Sequence, residues 1–312
     1  MTLLNKALDG SPRPLGVHSL DHYALDVPCL DTARDFYSSF GLDVREVADT
    51  LVLRAFGDPH PWAYLHQGAR KKLRHIAFGA YAEDLAALQE QVEANGCKVS
   101  PLAGKGFRFV APDGVRVEVW VAAKVTPDNK PAVSFDSAEG GERGAPYRRH
   151  ASQVRPRRLS HIMLFTPDVE RIIAFYEQAL GIRLSDRSEH IVAFMHTVHG
   201  ADHHTVAFVQ SQAPGFHHCS WDVASINEVG LGAMNMADQG WDRGWGFGRH
   251  VLGSNYFYYV RDPWGSYSEY SCDIDFVPAG VKWEAGNHPP EDSLYLWGPD
   301  VPDEFIVNYE SK

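Results

Sequence analysis

His250, Tyr259 and Glu269 stand in one stretch, GRHVLGSNYFYYVRDPWGSYSEY (248–270), that otherwise reads as a β-hairpin. A hairpin needs no carboxylate among its aromatics; a metal or acid–base centre does. The chain carries sixteen histidines, and eight of them lie from His190 to His250. The turn decides whether Tyr259 and Glu269 can meet. A three-residue hairpin loop is commonly a type I turn closed by a left-handed residue, usually glycine. Pro263-Trp264-Gly265 has that form, and a turn centred on Trp264 sets Tyr259 across from Glu269 on one face. A two-residue turn would put them on opposite faces. His250 precedes the strand, so alternation does not fix its reach.

Strand alternation also sorts the neighbouring histidines. In HHCSWDV, His218, Ser220 and Asp222 share one face, and His217, Cys219 and Trp221 the other. In SHIMLF, His161, Met163 and Phe165 lie opposite Ile162 and Leu164. A lone histidine at a strand start is usually structural. If paired units are built alike, however, His161 and His218 begin equivalent strands, and a pseudo-twofold arrangement brings both to one cavity with Glu269. Two neutral imidazoles and one carboxylate form the facial triad that binds non-haem Fe(II) and leaves coordination positions open. Cys219 points away from that cavity. Asp222 sits roughly 13 Å from His218 along the strand and belongs to a polar rim.

The elements that must position these groups repeat. LDHYALDVPCLDTARDFYSSFGLDV (20–44) aligns almost without gaps with LSHIMLFTPDVERIIAFYEQALGIRL (159–184). Each has a His-bearing strand, a proline, a helix with Phe-Tyr, and a glycine stop. In the second copy Thr166 is read as N-cap with Pro167 in the first helical position. Val169, Ile172, Ile173, Tyr176 and Leu180 follow helical spacing, and Gly181 ends the helix in a left-handed conformation. Segments 73–96 and 216–240 form a second repeated pair. Each runs from a His-bearing strand into a helix ending at glycine, and each precedes a hairpin around Pro-x-Gly. The sequence therefore predicts four strand–helix–strands units, two per half. Residues 122–157, polar and rich in Pro, Gly and charge, read as the linker.

Bulk properties bound the partners. The chain has 312 residues, enough for two domains, and 44% hydrophobic content, ordinary for a globular protein. Net charge −11 and a pI near 5.8 argue against nucleic acid or an anionic membrane. No run approaches the roughly 18 apolar residues of a membrane span. MTLLNKALDGSPRPLG lacks a signal peptide's apolar stretch. Four scattered cysteines without a CxxC read as reduced thiols in a cytoplasmic protein.

The C-terminal half resembles the type I extradiol ring-cleavage dioxygenases, the catechol 2,3-dioxygenase family of the vicinal oxygen chelate superfamily. The match is Gly248-x-His250, Tyr259 nine residues later, Asp262-Pro263-x-Gly265, and Glu269 ten residues after the tyrosine, together with HHTVAF from His203 shortly before HHCSWDV. The resemblance implies an α+β fold of two domains, each of two βαβββ modules. The N-terminal domain spans 1–121 and lacks an active metal; the catalytic domain spans 158–275; a tail follows over 276–312. It implies Fe(II), less often Mn(II), on His161, His218 and Glu269. His204, the second member of its pair, stabilises oxygen species and transfers protons, while His250 and Tyr259 bond the substrate diol. The expected reaction adds both atoms of O2 to a substituted catechol and cuts the ring beside its diol, as in aromatic-compound degradation. The expected assembly is a homo-oligomer.

His22, His75 and Glu118 match the ligand positions, but Arg108 stands where Tyr259 does and Val99 lies near the His250 position, so the three read as remnants. Trp241, Trp245 and Phe247 near His250 favour an apolar pocket for an alkyl- or chlorocatechol or a trihydroxytoluene; Arg243 and Arg249 leave a carboxylated catechol open. His190, His196 and His199 are lesser candidates for substrate contact, and the tail with Trp283, His288 and Trp297 either covers the pocket or packs subunits. Rival readings on the same fold are a glyoxalase-like isomerase, a thiol transferase, or a bleomycin-resistance-like binding protein.

Overall fold

The computed structural model describes residues 13–135 and 138–311. The stretch read for a signal peptide lies largely outside them. The first module is β1 (Ser19–Val27), α1 (Leu30–Ser39), β2 (Asp43–Val47), β3 (Thr50–Arg54) and β4 (Ala63–Gln67); the second is β5 (Lys72–Ala80), α2 (Leu85–Ala94), β6 (Ser100–Leu102), β7 (Gly106–Val110) and β8 (Arg116–Val121). The third runs β9 (Arg158–Thr166), α3 (Val169–Leu180), β10 (Arg183–Ser188), β11 (Val192–His196), the two-residue β12 (Ala201–Asp202) and β13 (Val206–Gln210). The fourth is β14 (Gly215–Asp222), α4 (Ile226–Asp238), β15 (Gly244–Arg249), β16 (Tyr256–Arg261) and β17 (Tyr267–Cys272). The tail adds β18 (Phe276–Val277) and β19 (Gly286–Asn287). The four predicted units are present, and the fold is α+β.

Each half builds one sheet from two modules joined at their first strands. The orders are β2-β3-β4-β1-β5-β8-β7-β6 and β15-β16-β17-β14-β9-β13-β11-β10-β19. β1 and β5 pair antiparallel, as do β9 and β14. Each first strand then pairs in parallel with the last strand of its own module, β5 with β8 and β14 with β17. This puts the His-bearing strands side by side at the centre of each sheet.

α3 shows why the sequence folds this way locally, with one correction. Its cap is Asp168, whose carboxylate accepts the Arg171 amide at 3.0 Å. Thr166 stays in β9, paired with Gln210, so the helix starts two residues later than predicted. Val169, Ile172, Ile173, Tyr176 and Leu180 are all buried, and Gly181 takes φ 70 at the C-terminus. One apolar core runs through both halves: Phe40 stacks on Tyr270 at 3.9 Å and Tyr23 on Phe216 at 5.0 Å. Among its described residues the segment 122–157 carries one short 3-10 turn, Arg148–His150. Among the described residues no helix is long and apolar enough to cross a membrane.

Candidate metal centre and its cavity

Three strands bring the ligating atoms together. In the ladder, Ser220 of β14 pairs with His161 of β9 on one side and Glu269 of β17 on the other. The small serine separates the two larger side chains, and His218 lies two residues back on β14. His161 Nε2 and His218 Nε2 are 3.4 Å apart, and Glu269 Oε2 lies 3.3 Å and 3.8 Å from them. All three residues are buried.

The other edge of each ligand is held. Ser160 Oγ donates to Asp202 Oδ2 at 2.6 Å and faces His161 Nδ1 at 3.4 Å; Asp202 is gripped by both Arg158 amino groups. His218 Nδ1 is 2.7 Å from His217 Nδ1. Asn255 Nδ2 donates to Glu269 Oε1 at 3.0 Å. Such contacts fix the ring tautomer and leave Nε2 as the lone-pair edge. Burial pushes the Glu269 carboxyl up, but the imidazoles of His161, His250 and His218 packed around it outweigh this and hold the group well below the usual carboxylate range. Burial and the neighbouring His217 push His218 well below the ordinary imidazole value. Two imidazole nitrogens thus converge on one carboxylate oxygen. Glu269 Oε2 is buried with no hydrogen-bond partner. A buried carboxylate oxygen is costly without one, and a divalent cation among these three atoms supplies it. The donor set fits the expected metal.

Above the triad lies a cavity of about 250 Å³. Its polar groups are the histidines of the centre, His204, His217, His250, Asn255, Tyr259 and Ser293. Met163, Val192, Phe194, Leu252, Leu294 and Phe305 supply much of the apolar wall. Leu294 and Phe305 come from the tail, which therefore covers this site. The His204 ring lies 4.0 Å from that of His161. His250 Nδ1 donates to the Leu294 carbonyl at 2.5 Å, so Nε2 accepts from the Tyr259 hydroxyl at 3.0 Å. Tyr259 faces Glu269 across the hairpin, as the turn predicted. Burial and the Glu269 charge push its phenol well above the ordinary value.

Residues 19–119 and 158–270 match the Glyoxalase/Bleomycin resistance protein/Dioxygenase superfamily. Over 299 residues the chain is 50% identical to Metapyrocatechase 2 of Cupriavidus necator, covering 95% of this chain and 93% of that one. The chain belongs to the extradiol dioxygenases of this superfamily. It is also 24% identical over 310 residues to the manganese-dependent 2,3-dihydroxybiphenyl 1,2-dioxygenase of Geobacillus genomosp. 3, covering 90% of this chain and 93% of that one. The Mn(II)-bound glyoxalase of Novosphingobium aromaticivorans superimposes with a TM-score of 0.74 at 28% identity, covering 93% and 94% of the two chains.

In this extradiol dioxygenase several expected placements are corrected. A β-bulge between Phe216 and His218 breaks the alternation of β14, so His217 lines the cavity instead of facing away. Asp222 is no rim residue: it is buried against Arg157 at 2.8 Å and Arg158 at 3.6 Å. His196 bonds Ser185, and His199 bonds the Gly16 carbonyl; neither these two nor His190 lines the cavity. Trp241 packs on Phe36, Phe247 on Trp297, and Trp245 stacks behind Tyr259 at 5.5 Å. Arg243 pairs with Glu304, and Arg249 lies over Tyr256.

Sequence reasoning missed Asn255, which sits in an irregular turn without periodicity. It also missed Asp186. His203 Nε2 and His288 Nε2 each lie 2.8 Å from that carboxylate, and His203 Nδ1 faces His204 Nδ1 at 3.1 Å. A polar chain thus runs from His204 to the tail.

Proposed function

We propose that this extradiol dioxygenase holds Fe(II) on His161, His218 and Glu269 and cleaves an apolar-substituted, single-ring catechol beside its diol, incorporating both atoms of O2, in aromatic-compound degradation. The observation that carries the reading is the His161–His218–Glu269 cluster at the floor of an apolar cavity that also presents His204, His250 and Tyr259. At about 250 Å³ the cavity falls below the roughly 300–1,000 Å³ of clefts for drug-sized ligands, which favours one ring with small substituents. No lysine or arginine lines it among the described residues, which disfavours a carboxylated catechol. The facial triad is the donor set of non-haem Fe(II) sites. The relatives named for manganese make Mn(II) the competitor.

A divalent ion held by His161, His218 and Glu269 would supply the Lewis acidity that lowers the pKa of a diol hydroxyl. The Tyr259 hydroxyl and His250 Nε2 then stand as one hydrogen-bonded pair to bind the diol and take up its proton. Burial, then the neighbouring imidazoles of His161 and His203, hold His204 well below the ordinary histidine value. His204 is therefore uncharged at neutral pH and free to accept a proton at the ring edge facing the cavity. The apolar wall excludes water from the reacting pair. The same reading makes the protein a cytoplasmic homo-oligomer, which light scattering of the purified chain measures.

The test is anaerobic loading of metal-free protein with Fe(II) or Mn(II), addition of a catechol, and admission of air. A yellow ring-fission product is expected with Fe(II), and 3-methylcatechol and 4-chlorocatechol should exceed homoprotocatechuate in kcat/KM. Absence of product with all three overturns the reaction; preference for homoprotocatechuate overturns the substrate class; activity with Mn(II) alone overturns the metal.

A further inference from the structure

The N-terminal half repeats the donor set of the catalytic half at the same places in its own sheet. His22 lies on β1, His75 on β5 and Glu118 on β8: the central antiparallel pair and its parallel neighbour. In the ladder Ala77 pairs with His22 on one side and Glu118 on the other, where Ser220 stands in the other half. A small residue therefore leaves the same gap between the larger ligands.

The distances agree with that placement. His22 Nε2 and His75 Nε2 are 3.3 Å apart, and His75 Nε2 lies 3.9 Å from Glu118 Oε2. One ligand atom from each of the three lies within 4.8 Å of the others. His22 and Glu118 are buried, and His75 is partly so.

A second observation points the lone pairs inward. His22 Nδ1 is 2.6 Å from Asp21 Oδ2, a carboxylate–histidine pair of the kind that backs metal-bound imidazoles. With the Nδ1 proton given to Asp21, His22 Nε2 faces His75 as an acceptor. His60 Nε2 donates to the Asp21 backbone carbonyl at 2.8 Å, bracing the residue that holds His22. Trp120 Nε1 donates to Glu118 Oε2 at 3.0 Å and keeps that carboxylate in place.

The surroundings differ from those of the catalytic centre. Arg108 takes the ladder position opposite Glu118 that Tyr259 holds opposite Glu269, and it is exposed. It offers no phenol to a diol. We infer that His22, His75 and Glu118 bind one divalent transition-metal ion, with water completing its coordination, at a second site that clamps β1, β5 and β8 and takes no part in ring cleavage. Two imidazoles and one carboxylate suit the late first-row ions, and affinity at such a site generally rises from Mn(II) through Co(II) toward Zn(II). The site therefore accepts Co(II) or Zn(II) in preference to Mn(II).

The experiment counts ions on the full-length chain. Metal-free protein is equilibrated with Zn(II), desalted, and analysed for metal per chain; Co(II) uptake is followed in parallel by its visible absorption. The wild-type chain should retain about twice the metal of His75→Ala or of Glu118→Gln. The His161→Ala/His218→Ala variant should keep its Co(II) spectrum and lose it when His75→Ala is added. Should that double variant fail to fold by circular dichroism, the single variants in the intact chain decide. Equal metal content in wild type and His75→Ala overturns the inference. So does a His161→Ala/His218→Ala chain that folds and binds none, as it would if His22 and His75 merely shared a proton.

Discussion

His204 and His203 are neighbours in the chain with opposite tasks. His203 turns to Asp186 at 2.8 Å, while His204 lines the cavity with its ring 4.0 Å from that of His161. In the proposed reaction His204 carries a proton and binds no metal. His204→Phe should therefore leave iron content and anaerobic catechol binding unchanged while kcat falls by about 10²–10⁴-fold. Steady-state turnover equal to wild type would remove His204 from the reaction. The resemblance to the extradiol family, with a histidine fourteen residues before the ligand His218, is what picks His204 from the pair; strand alternation does not, since His204 lies between β12 and β13. Asp186 was not legible. It sits in LSDRSEH, a stretch with no spacing signal, and its partners His203 and His288 meet it only because the tail folds back.

At the scale of elements, the hairpin β16–β17 places Tyr259 and Glu269, and its turn sets the register. Asp262 N bonds Ser266 O at 2.7 Å, leaving Pro263-Trp264-Gly265 as the loop, with Gly265 at φ 96. A side chain there meets two obstacles. Left-handed backbone costs a non-glycine residue about 1–2 kcal/mol, and a Cβ would lie 2.5 Å from the Tyr309 ring of the tail. Gly265→Ala should lower unfolding free energy in urea by at least that backbone cost, about 1–2 kcal/mol, and lower bound metal as Glu269 shifts. Wild-type stability and metal content together would show that the turn does not govern the register. This turn could be read in advance because its chemistry is local. The bulge in β14 could not, since an extra residue in one strand is defined only against its partner. That is why alternation gave the wrong face for His217 and the right one for Cys219, which packs in the core. The cap of α3 failed for a related reason: Thr166 and Asp168 are both competent caps, and pairing of β9 with β13 claims the threonine.

Across the whole molecule, the two halves and the tail are tied by buried polar groups. Lys71, from the N-terminal half, is 2.7 Å from Glu310 of the tail; it donates to the Phe216 carbonyl at 2.8 Å and to Ser266 Oγ. Histidines make further ties. His18 Nε2 donates to the Ala122 carbonyl at 3.1 Å and His199 Nε2 to that of Gly16 at 3.1 Å, joining the first segment to both halves; His196 Nδ1 lies 2.6 Å from Ser185 Oγ. Burial lowers all three to about 4 from an ordinary value of 6.5. The sign of the consequence follows from proton counting. Between pH 6.5 and about 4 the unfolded chain holds protons on these histidines that the folded chain does not, so stability rises with pH there. Their contribution is complete above pH 6.5 and is lost as pH falls through the unfolded value toward the folded one. Urea midpoints measured on metal-free protein, to separate this from loss of metal, should fall steadily from pH 7 to pH 4.5. Replacing His196 and His199 by Gln, which cannot charge, should flatten the slope. A midpoint that stays level across this window, or a slope unchanged in the Gln variants, would mean that these histidines are protonated in the folded chain and that the ties at Gly16 and Ser185 admit the charge.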